Sequence, residues 1–149
     1  MLGIQDAEHE ESAPEASRLL ISKLSCSLVG QIERIKIISG TLAQQVYGQE
    51  EVTEEYCCNY GLNPEYQAEI GKGALKVVGV NPAGEVRIVE LWGHRFFIAT
   101  LFLPQLSSLP QQPHPLITAY LKEALDFGRV GRKVKEGESQ GDVHANHNE

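Results

Sequence analysis

Cys57 and Cys58 form the most unusual dipeptide of the chain, because two adjacent thiols can carry redox chemistry or bind a soft metal ion. In an extended strand, adjacent side chains point to opposite faces, so the two sulfurs are poorly placed to bind one ion together. The alternative is that one cysteine packs inside, the other faces a pocket or solvent, and both stay reduced and inert. We favour the inert interpretation and keep a thiol site at Cys57 and Cys58 as a functional hypothesis.

The histidines and acidic residues offer weaker candidates. His94 lies in an expected turn between strands, and His114 lies between two prolines at an expected helix start, so a turn or capping role is predicted for each. The run Glu8–Glu11 reads Glu-His-Glu-Glu, but consecutive loop residues seldom converge on one ion. His144 and His147 have a three-residue spacing in a segment without apolar periodicity. We therefore expect no metal site.

The composition bounds the classes of function. The chain has 149 residues, which is the size of one domain, and 42% hydrophobic residues, which is typical of a globular protein. A net charge of −7 disfavours binding to nucleic acid or to an anionic membrane. Three cysteines, no N-terminal leader pattern and no long apolar run indicate a cytoplasmic protein. The glycines are scattered at turns, so no nucleotide or other cofactor is expected.

Three regions differ in composition. Residues 1–17 are acidic and small, so we expect an exposed N-terminal loop. Residues 18–127 hold nearly all the apolar periodicity and are expected to form the folded domain. Residues 128–149 lack an aliphatic pattern after Val134 and are expected to be a flexible tail.

Strand patterns dominate the folded region. Two segments rich in Leu and Ile are predicted strands, Arg18–Val29 and Ile32–Ile38, and Glu50–Tyr60, which mixes charge with Val, Tyr and Cys, is a third. The clearest unit is a β-hairpin, in which Leu75–Val80 and Val86–Leu91 flank the turn sequence Asn81–Gly84. The apolar run Arg95–Phe102 is typical of a central strand with cover on both faces and neighbours at both edges.

Three helical segments complete the predicted α/β fold. Thr41 can cap a short helix over Leu42–Tyr47 that Gly48 ends. Asn63-Pro64 predicts the start of another helical turn. The apolar spacing of Leu116–Leu125 indicates a C-terminal amphipathic helix. The fold class is therefore α/β, with a mixed sheet, a β-hairpin and a C-terminal helix.

Several short motifs follow one another in a family-specific order. They are Tyr60–Tyr66, Val89–Leu91, Phe97–Pro104 and Pro113–Leu116. Their order resembles the C-terminal part of the glutamine amidotransferase domain of CTP synthase and, more narrowly, the CTP synthase C-terminal-region-related proteins. The resemblance covers roughly residues 18–127. It implies an incomplete class I glutamine amidotransferase-like, flavodoxin-like domain that lacks its N-terminal part.

The departures from this family concern its catalytic residues. The family hydrolyses glutamine with a Cys nucleophile on a strand-turn-helix elbow, activated by a His-Glu pair. Its His-Pro-Glu triplet aligns with Leu103-Pro104-Gln105, and the Arg that holds the substrate carboxylate aligns with Asn59. Leucine cannot accept a proton, glutamine is neutral, and no Gly-x-Cys-x-Gly elbow occurs in the chain. No catalytic residue is therefore intact, Asn59 is a degenerate anchor, and the substrate-binding residues are unknown.

These observations lead to one main hypothesis and two alternatives. The main hypothesis is a catalytically degenerate glutaminase-like domain with a binding or regulatory role, whose ligand is a small metabolite or a partner chain. The resemblance alone implies a glutamine-dependent, CTP synthase-type enzyme linked to pyrimidine nucleotide biosynthesis, and Cys57-Cys58 implies a thiol or redox protein.

The missing part of the fold has a structural consequence. A sheet that lacks strands exposes an edge, which predicts a homo-oligomer or a partner chain that covers it. The opening residues resemble the end of a family helix, so we expect Met1 not to be the true start. About 80–100 further residues would complete a domain of ordinary size.

Overall fold

The computed structural model describes residues 4–141, with side chains up to residue 129. The strands within this range are β1 (Glu8–His9), β2 (Leu19–Lys23), β3 (Ile32–Ile37), β4 (Glu51–Glu55), β5 (Tyr60–Leu62), β6 (Leu75–Val80), β7 (Val86–Leu91) and β8 (Ile98–Thr100). The helices are α1 (Leu42–Tyr47), α2 (Gln67–Ile70) and α3 (Pro115–Gly141), and a 3₁₀ turn, Pro64–Tyr66, precedes α2.

The strands form two sheets. The larger sheet has the order β4-β3-β6-β7-β8, and all of its neighbouring strands are antiparallel. The smaller sheet has the order β1-β2-β5, in which β2 is antiparallel to β5 and parallel to the short β1. Because α1 contacts α3, the two helices share one side of the molecule. This arrangement confirms the predicted α/β class with a hairpin and a C-terminal helix.

The hairpin β6-β7 turns where the sequence predicts. The side-chain oxygen of Asn81 accepts hydrogen bonds from the backbone N–H groups of Ala83 and Glu85, at 3.1 and 2.9 Å. Gly84 has a φ of 81°, in the left-handed region that glycine adopts without strain. Asn81 and Gly84 therefore set the turn by local chemistry, which is why its position is visible in the sequence.

Helix α1 also agrees with the prediction. Thr41 caps it by accepting a hydrogen bond from the N–H of Gln44 at 3.2 Å, and Gly48 ends it with a φ of 69°. A second cap comes from a distant strand: the buried carboxylate of Glu90 accepts from the N–H groups of Leu42 and Ala43, at 3.2 and 2.5 Å. Glu90 thus ties the start of α1 to β7, and an anionic group suits the positive end of the helix dipole.

The hydrophobic core joins the larger sheet to the segments that follow it. Its fully buried large side chains are Tyr56, Phe102, Ile35, Ile37, Ile88 and Val78. Tyr56 and Phe102 meet edge to face, with ring centroids 6.0 Å apart. These two aromatic residues lie in irregular segments after β4 and β8, so the core reaches beyond the regular strands.

Three strand predictions were too long. The predicted strand Glu50–Tyr60 ends at Glu55, because Tyr56 turns into the core and the chain then crosses to the smaller sheet as β5. The predicted strand Arg18–Val29 is reduced to β2. The run Arg95–Phe102 contributes only the three residues of β8, which lies at the edge of the larger sheet and pairs only with β7 among the described strands. A turn with Gly93 at a φ of 81° precedes the run, and bends at residues 94–96 delay the start of β8 to Ile98.

The two terminal boundaries also differ from the sequence prediction. Glu8 and His9 form β1 inside the acidic N-terminal segment. Helix α3 runs to Gly141, so residues 128–141 continue the helix rather than beginning a separate flexible tail. The predicted amphipathic pattern is present, but of its apolar residues only Leu116 is fully buried within the described side chains.

The first prediction concerns Gly79 in β6. A Cβ atom at this position would lie 2.7 Å from Cγ1 and 2.9 Å from Cβ of Ile88, which is fully buried and cannot move aside. We expect Gly79→Ala to lower the free energy of unfolding by about 1–3 kcal/mol through overpacking, measured by urea denaturation. Gly71→Ala is the control, because its Cβ would meet nothing closer than 4.0 Å. Equal stability of the two variants would contradict the close packing of β6 on β7.

Candidate functional site

Three segments meet at one corner of the molecule: the connection 56–59 between β4 and β5, the residues that follow β8, and the loop 24–30 that follows β2. The Cys58 thiol donates to the carbonyl of Leu101 at 3.4 Å, and the N–H of Leu103 donates to the carbonyl of Glu55 at 3.4 Å. The N–H of Leu24 donates to the carbonyl of Asn59 at 2.8 Å. The backbone therefore brings the sequence-predicted positions together, although they lie more than 40 residues apart.

The side chains at this corner offer little chemistry. Leu103 is half-buried and aliphatic, whereas Gln105 and Asn59 are exposed and neutral. The N–H of Leu106 donates to the carbonyl of Leu103 at 3.0 Å, so Leu103 and Gln105 lie in one tight turn after β8. None of these three groups can take a proton from a thiol or carry a charge at neutral pH.

Cys57 and Cys58 differ in environment. Both lie in an irregular segment rather than in a strand, yet Cys57 is exposed and Cys58 is half-buried, so the two thiols do face different surroundings. Burial raises the pKa of Cys58, and the positive charge of Arg87 opposes this rise only in part. Cys26 is also free and exposed, in the loop beside them. A raised pKa keeps Cys58 as a thiol at neutral pH, which is the opposite of an activated nucleophile.

Arg87 is a buried cation that the sequence analysis did not identify. It donates to Glu33 at 2.9 Å and to Glu85 at 2.7 Å, and its guanidinium lies 5.6 Å from the ring centre of Tyr56. Burial lowers the pKa of Arg87, but the hydrogen bond and charge of Glu33 outweigh it, so the group stays charged. The Tyr56 hydroxyl is buried without a hydrogen-bond partner in the described structure. The one sequence feature that could have indicated a buried cation is the position of Arg87 between the apolar residues Val86 and Ile88 of a hairpin strand.

A second buried polar cluster centres on Glu54. Its carboxylate accepts hydrogen bonds from Tyr47 at 2.5 Å, from Nε2 of His114 at 2.9 Å and from Ser107 at 3.4 Å. Nδ1 of His114 accepts from the N–H of Leu116 at 3.2 Å, so Nε2 is the ring nitrogen that donates to Glu54. Burial raises the pKa of Tyr47 and the bond to Glu54 raises it further, so Tyr47 also stays a donor. His114 thus lies at the start of α3, as predicted, but no local sequence pattern indicates its carboxylate partner Glu54.

The remaining sequence candidates make local contacts. Nδ1 of His9 accepts from the N–H of Glu11 at 3.1 Å, and a Glu10 oxygen accepts from the N–H of Lys23. Nδ1 of His94 accepts from the N–H of Phe96 at 3.3 Å, inside its turn. Among the residues that the structure describes, no group of three or more potential ligands could hold a metal ion. His144 and His147 lie outside the described residues.

A cleft lies beside this corner, between β2 and the hairpin turn. It encloses about 910 Å³ and is lined by Lys23, Ser25, Gln67, Glu85 and Arg87, among others. Apolar residues, among them Leu24, Leu62 and Val77, line the rest of the cleft, so it combines apolar surface with a few charged groups. Within the described part of the chain, none of the helices has the length and apolarity that crossing a membrane requires.

Comparison with known proteins identifies the relatives of this arrangement. No protein-family model matches the chain. CTP synthase from Cytophaga hutchinsonii is 29% identical over 143 residues, which cover 89% of this chain and 26% of that protein. CTP synthase from Carboxydothermus hydrogenoformans is 32% identical over 138 residues, which cover 86% and 26%. The glutaminase domain of Trypanosoma brucei CTPS with bound acivicin matches with a TM-score of 0.77 at 23% identity, over 85% of this chain and 53% of that domain. The chain is a relative of the CTP synthase glutaminase domain.

This relationship confirms the resemblance and the fold class that the sequence predicts. The chain spans about a quarter of the length of the CTP synthases that it matches, and about half of the solved glutaminase domain. The fold of a class I glutamine amidotransferase is therefore present in part. The degenerate positions Leu103, Gln105 and Asn59 remain predictions that rest on alignment with the family.

The second prediction concerns the thiols. At neutral pH we expect iodoacetamide to label the exposed Cys57 and Cys26 before Cys58, because burial raises the pKa of Cys58 and limits access. Labelling of Cys58 should accelerate as the pH rises above the ordinary thiol range. Peptide mass spectrometry measures each rate, with Cys57→Ser and Cys58→Ser as controls for assignment. Faster labelling of Cys58 than of Cys57 at neutral pH would instead support an activated thiol.

The third prediction concerns Glu54. Replacing the carboxylate in Glu54→Gln weakens three hydrogen bonds and places an amide N–H₂ group against their donors. We expect a loss of about 1.5–3 kcal/mol in the free energy of unfolding, measured by urea denaturation. Glu51→Gln is the matched control on the same strand, because Glu51 is exposed and makes only a 3.6 Å ion pair with Arg34. An unchanged stability of Glu54→Gln would show that the cluster does not hold the fold together.

Proposed function

We propose that this chain is a glutaminase-like domain that does not hydrolyse glutamine and acts by binding a small metabolite or a partner chain. The observation that carries the proposal is the turn after β8, which holds Leu103 and Gln105. By the sequence resemblance, these two residues align with the family's His and Glu. The relatives named above are CTP synthases, and this chain matches about a quarter of their length. The sequence similarity thus supports a common ancestor with CTP synthase. Leu103, Gln105 and Asn59 argue against glutamine hydrolysis by this chain.

The chemistry of hydrolysis explains why these substitutions matter. A glutaminase needs a group that takes the proton of its nucleophile and an anion that stabilises the resulting imidazolium. The aliphatic Leu103 cannot do the first, and the neutral carboxamide of Gln105 cannot do the second. Asn59 can donate a hydrogen bond to a substrate carboxylate but cannot neutralise its charge. Weak glutamine binding is compatible with this corner, whereas turnover is not.

The cleft and the sheet edge are the two surfaces that support a binding role. The cleft of about 910 Å³ between β2 and the hairpin turn has room for a small polar metabolite. The edge of the larger sheet at β8 has no described neighbour, which favours cover by another copy or another chain. The net charge of −7 disfavours nucleic acid as the partner. The proposal includes no cofactor, and the cytoplasmic location stays a prediction.

Two other functions remain distinguishable from this one. A glutamine-dependent, CTP synthase-type activity linked to pyrimidine nucleotide biosynthesis is supported only by the similarity to CTP synthase. It would need a nucleophile and a base from outside the residues described. A thiol or redox role at Cys57 and Cys58 is supported by the exposure of Cys57, but the raised pKa of Cys58 weakens it.

The fourth prediction is the absence of glutaminase activity. The purified chain should release no ammonia from glutamine above the rate of a heat-denatured sample, because loss of the general base alone costs about 10²–10⁴-fold. Glutamate dehydrogenase-coupled detection of ammonia measures this, and calorimetric titration with glutamine tests binding in the same preparation. The triple variant Cys26→Ser, Cys57→Ser, Cys58→Ser is the control. Ammonia release that scales with protein and disappears in that variant would contradict the proposal and support an enzyme.

A further inference from the structure

All three cysteines of the chain lie in two segments that are bonded to each other. Cys26 lies in the loop 24–30, and Cys57 and Cys58 lie in the connection 56–59. Three backbone hydrogen bonds join the two segments, from Leu24 to Asn59 at 2.8 Å, from Leu28 to Cys58 at 3.1 Å and from Gly30 to Tyr56 at 2.9 Å. The fold therefore brings the loop that carries Cys26 against the segment that carries the other two thiols.

The part of the loop around Cys26 bulges out of this pairing. Leu24 and Leu28 bond to the adjacent residues Asn59 and Cys58, so residues 25–27 have no counterpart on the other segment. None of the backbone N–H groups of residues 25–27 bonds to a backbone carbonyl within the described part of the chain. A short loop with fixed ends and few backbone bonds can change its conformation without unfolding the core. Cys26, at the centre of this bulge, is therefore free to approach the connection 56–59.

We propose that Cys26 and Cys57 form a reversible disulfide bond that fastens the bulge to the connection 56–59. Both cysteines are free and exposed, so a small oxidant reaches them, whereas Cys58 is half-buried and its thiol donates to the carbonyl of Leu101 at 3.4 Å. The bond joins two segments that the structure describes, and it involves no second chain. The inference concerns a modification site and does not rest on the proposed binding role.

The oxidant that we assign is a small disulfide of the glutathione class, and the step is a thiol–disulfide exchange. The Cys57 thiolate attacks one sulfur of glutathione disulfide, which forms a mixed disulfide and releases one glutathione thiolate. The Cys26 thiolate then attacks the Sγ atom of Cys57 and releases the second glutathione. The two cysteines together lose two protons and two electrons, and glutathione disulfide gains them. In a reducing compartment such a bond forms transiently, when small disulfides accumulate.

The geometry of the pairing limits the distance that the two sulfurs must cover. Leu28 bonds to Cys58, and hydrogen-bonded neighbours in an antiparallel pair have Cα atoms about 5.5 Å apart. A disulfide joins Cα atoms about 4.4–6.8 Å apart and here closes a small ring through residues 26–28 and 57–58. Bends at Ser25 and Cys26 turn the chain within the bulge. Movement of residues 25–27 brings Cys26 into range while Leu24 and Leu28 keep their bonds.

The other uses of the three thiols agree less well with the structure. A bond between the adjacent Cys57 and Cys58 would join an exposed thiol to a half-buried one in different surroundings. Burial raises the pKa of Cys58, which makes its thiolate scarce at neutral pH and slows exchange. A bound metal ion needs more than two ligands, and among the described residues no group of three or more potential ligands occurs. A two-electron oxidation needs only the two exposed thiols of Cys26 and Cys57.

The fifth prediction concerns the cross-link itself. The reduced chain, incubated with glutathione disulfide at mildly alkaline pH, should lose two hydrogens in most molecules and retain little glutathione. Dithiothreitol should reverse the change. The thermal midpoint of the oxidised form should lie roughly 5 °C or more above that of the reduced form, because the bond restricts the unfolded chain. Intact-protein mass spectrometry and calorimetry measure the two effects.

Variants assign the pair, because Cys57 and Cys58 are adjacent and share a proteolytic peptide. Cys26→Ser and Cys57→Ser should each abolish the cross-link and leave glutathione on the remaining exposed cysteine. Cys58→Ser is the matched control and should cross-link like the parent chain, and Cys58→Ala replaces it if circular dichroism shows that Cys58→Ser does not fold. Glutathione on both exposed cysteines without a cross-link would overturn the inference. So would a cross-link that survives Cys57→Ser, or one that joins two copies of the chain.

Discussion

The buried carboxylate of Glu54 is the constraint on which the C-terminal part of the structure depends. It lies on β4 and receives hydrogen bonds from α1, from the loop after β8 and from the start of α3. A buried anion without such donors would cost several kcal/mol of solvation, so these three segments can pack only where their donors reach it. His114 also determines where α3 begins, because its Nδ1 atom accepts a hydrogen bond from the backbone N–H of Leu116 at the start of that helix.

The elements that could be predicted from the sequence are those whose ends are set by residues a few positions away. The turn of the hairpin depends on Asn81 and Gly84, and the ends of α1 depend on Thr41 and Gly48, all of which act within a few residues. The extent of β8 was not predictable in this way, because a continuous apolar run fits a central strand and a short edge strand equally well. The partners of Glu54 and Arg87 were not predictable either, since Glu54 and His114 are 60 residues apart and no local pattern links them.

The arrangement of the corner explains how a fold can persist while its chemistry changes. Tyr56 and Phe102 are fully buried and pack edge to face, whereas their neighbours Cys57 and Leu103 face outward or lie half-buried. Packing therefore constrains Tyr56 and Phe102 strongly, but the adjacent positions carry little of the stability. The exposed or half-buried positions 59, 103 and 105 can therefore vary without opening the core. The similarity to CTP synthase accordingly supports the fold more firmly than the function.

The two buried ionic clusters and the uncharged edge have opposite consequences for association. Glu54 and Arg87 hold their partners inside one copy, so their charges are neutralised by hydrogen bonds and take no part in contacts with other chains. The segment around β8 has no such groups and offers backbone bonds and apolar surface instead. Charged side chains thus lie in buried clusters and on the rest of the surface, whereas the segment around β8 has none. A strand that covers an edge of this kind is stabilised both by backbone hydrogen bonds and by apolar contact.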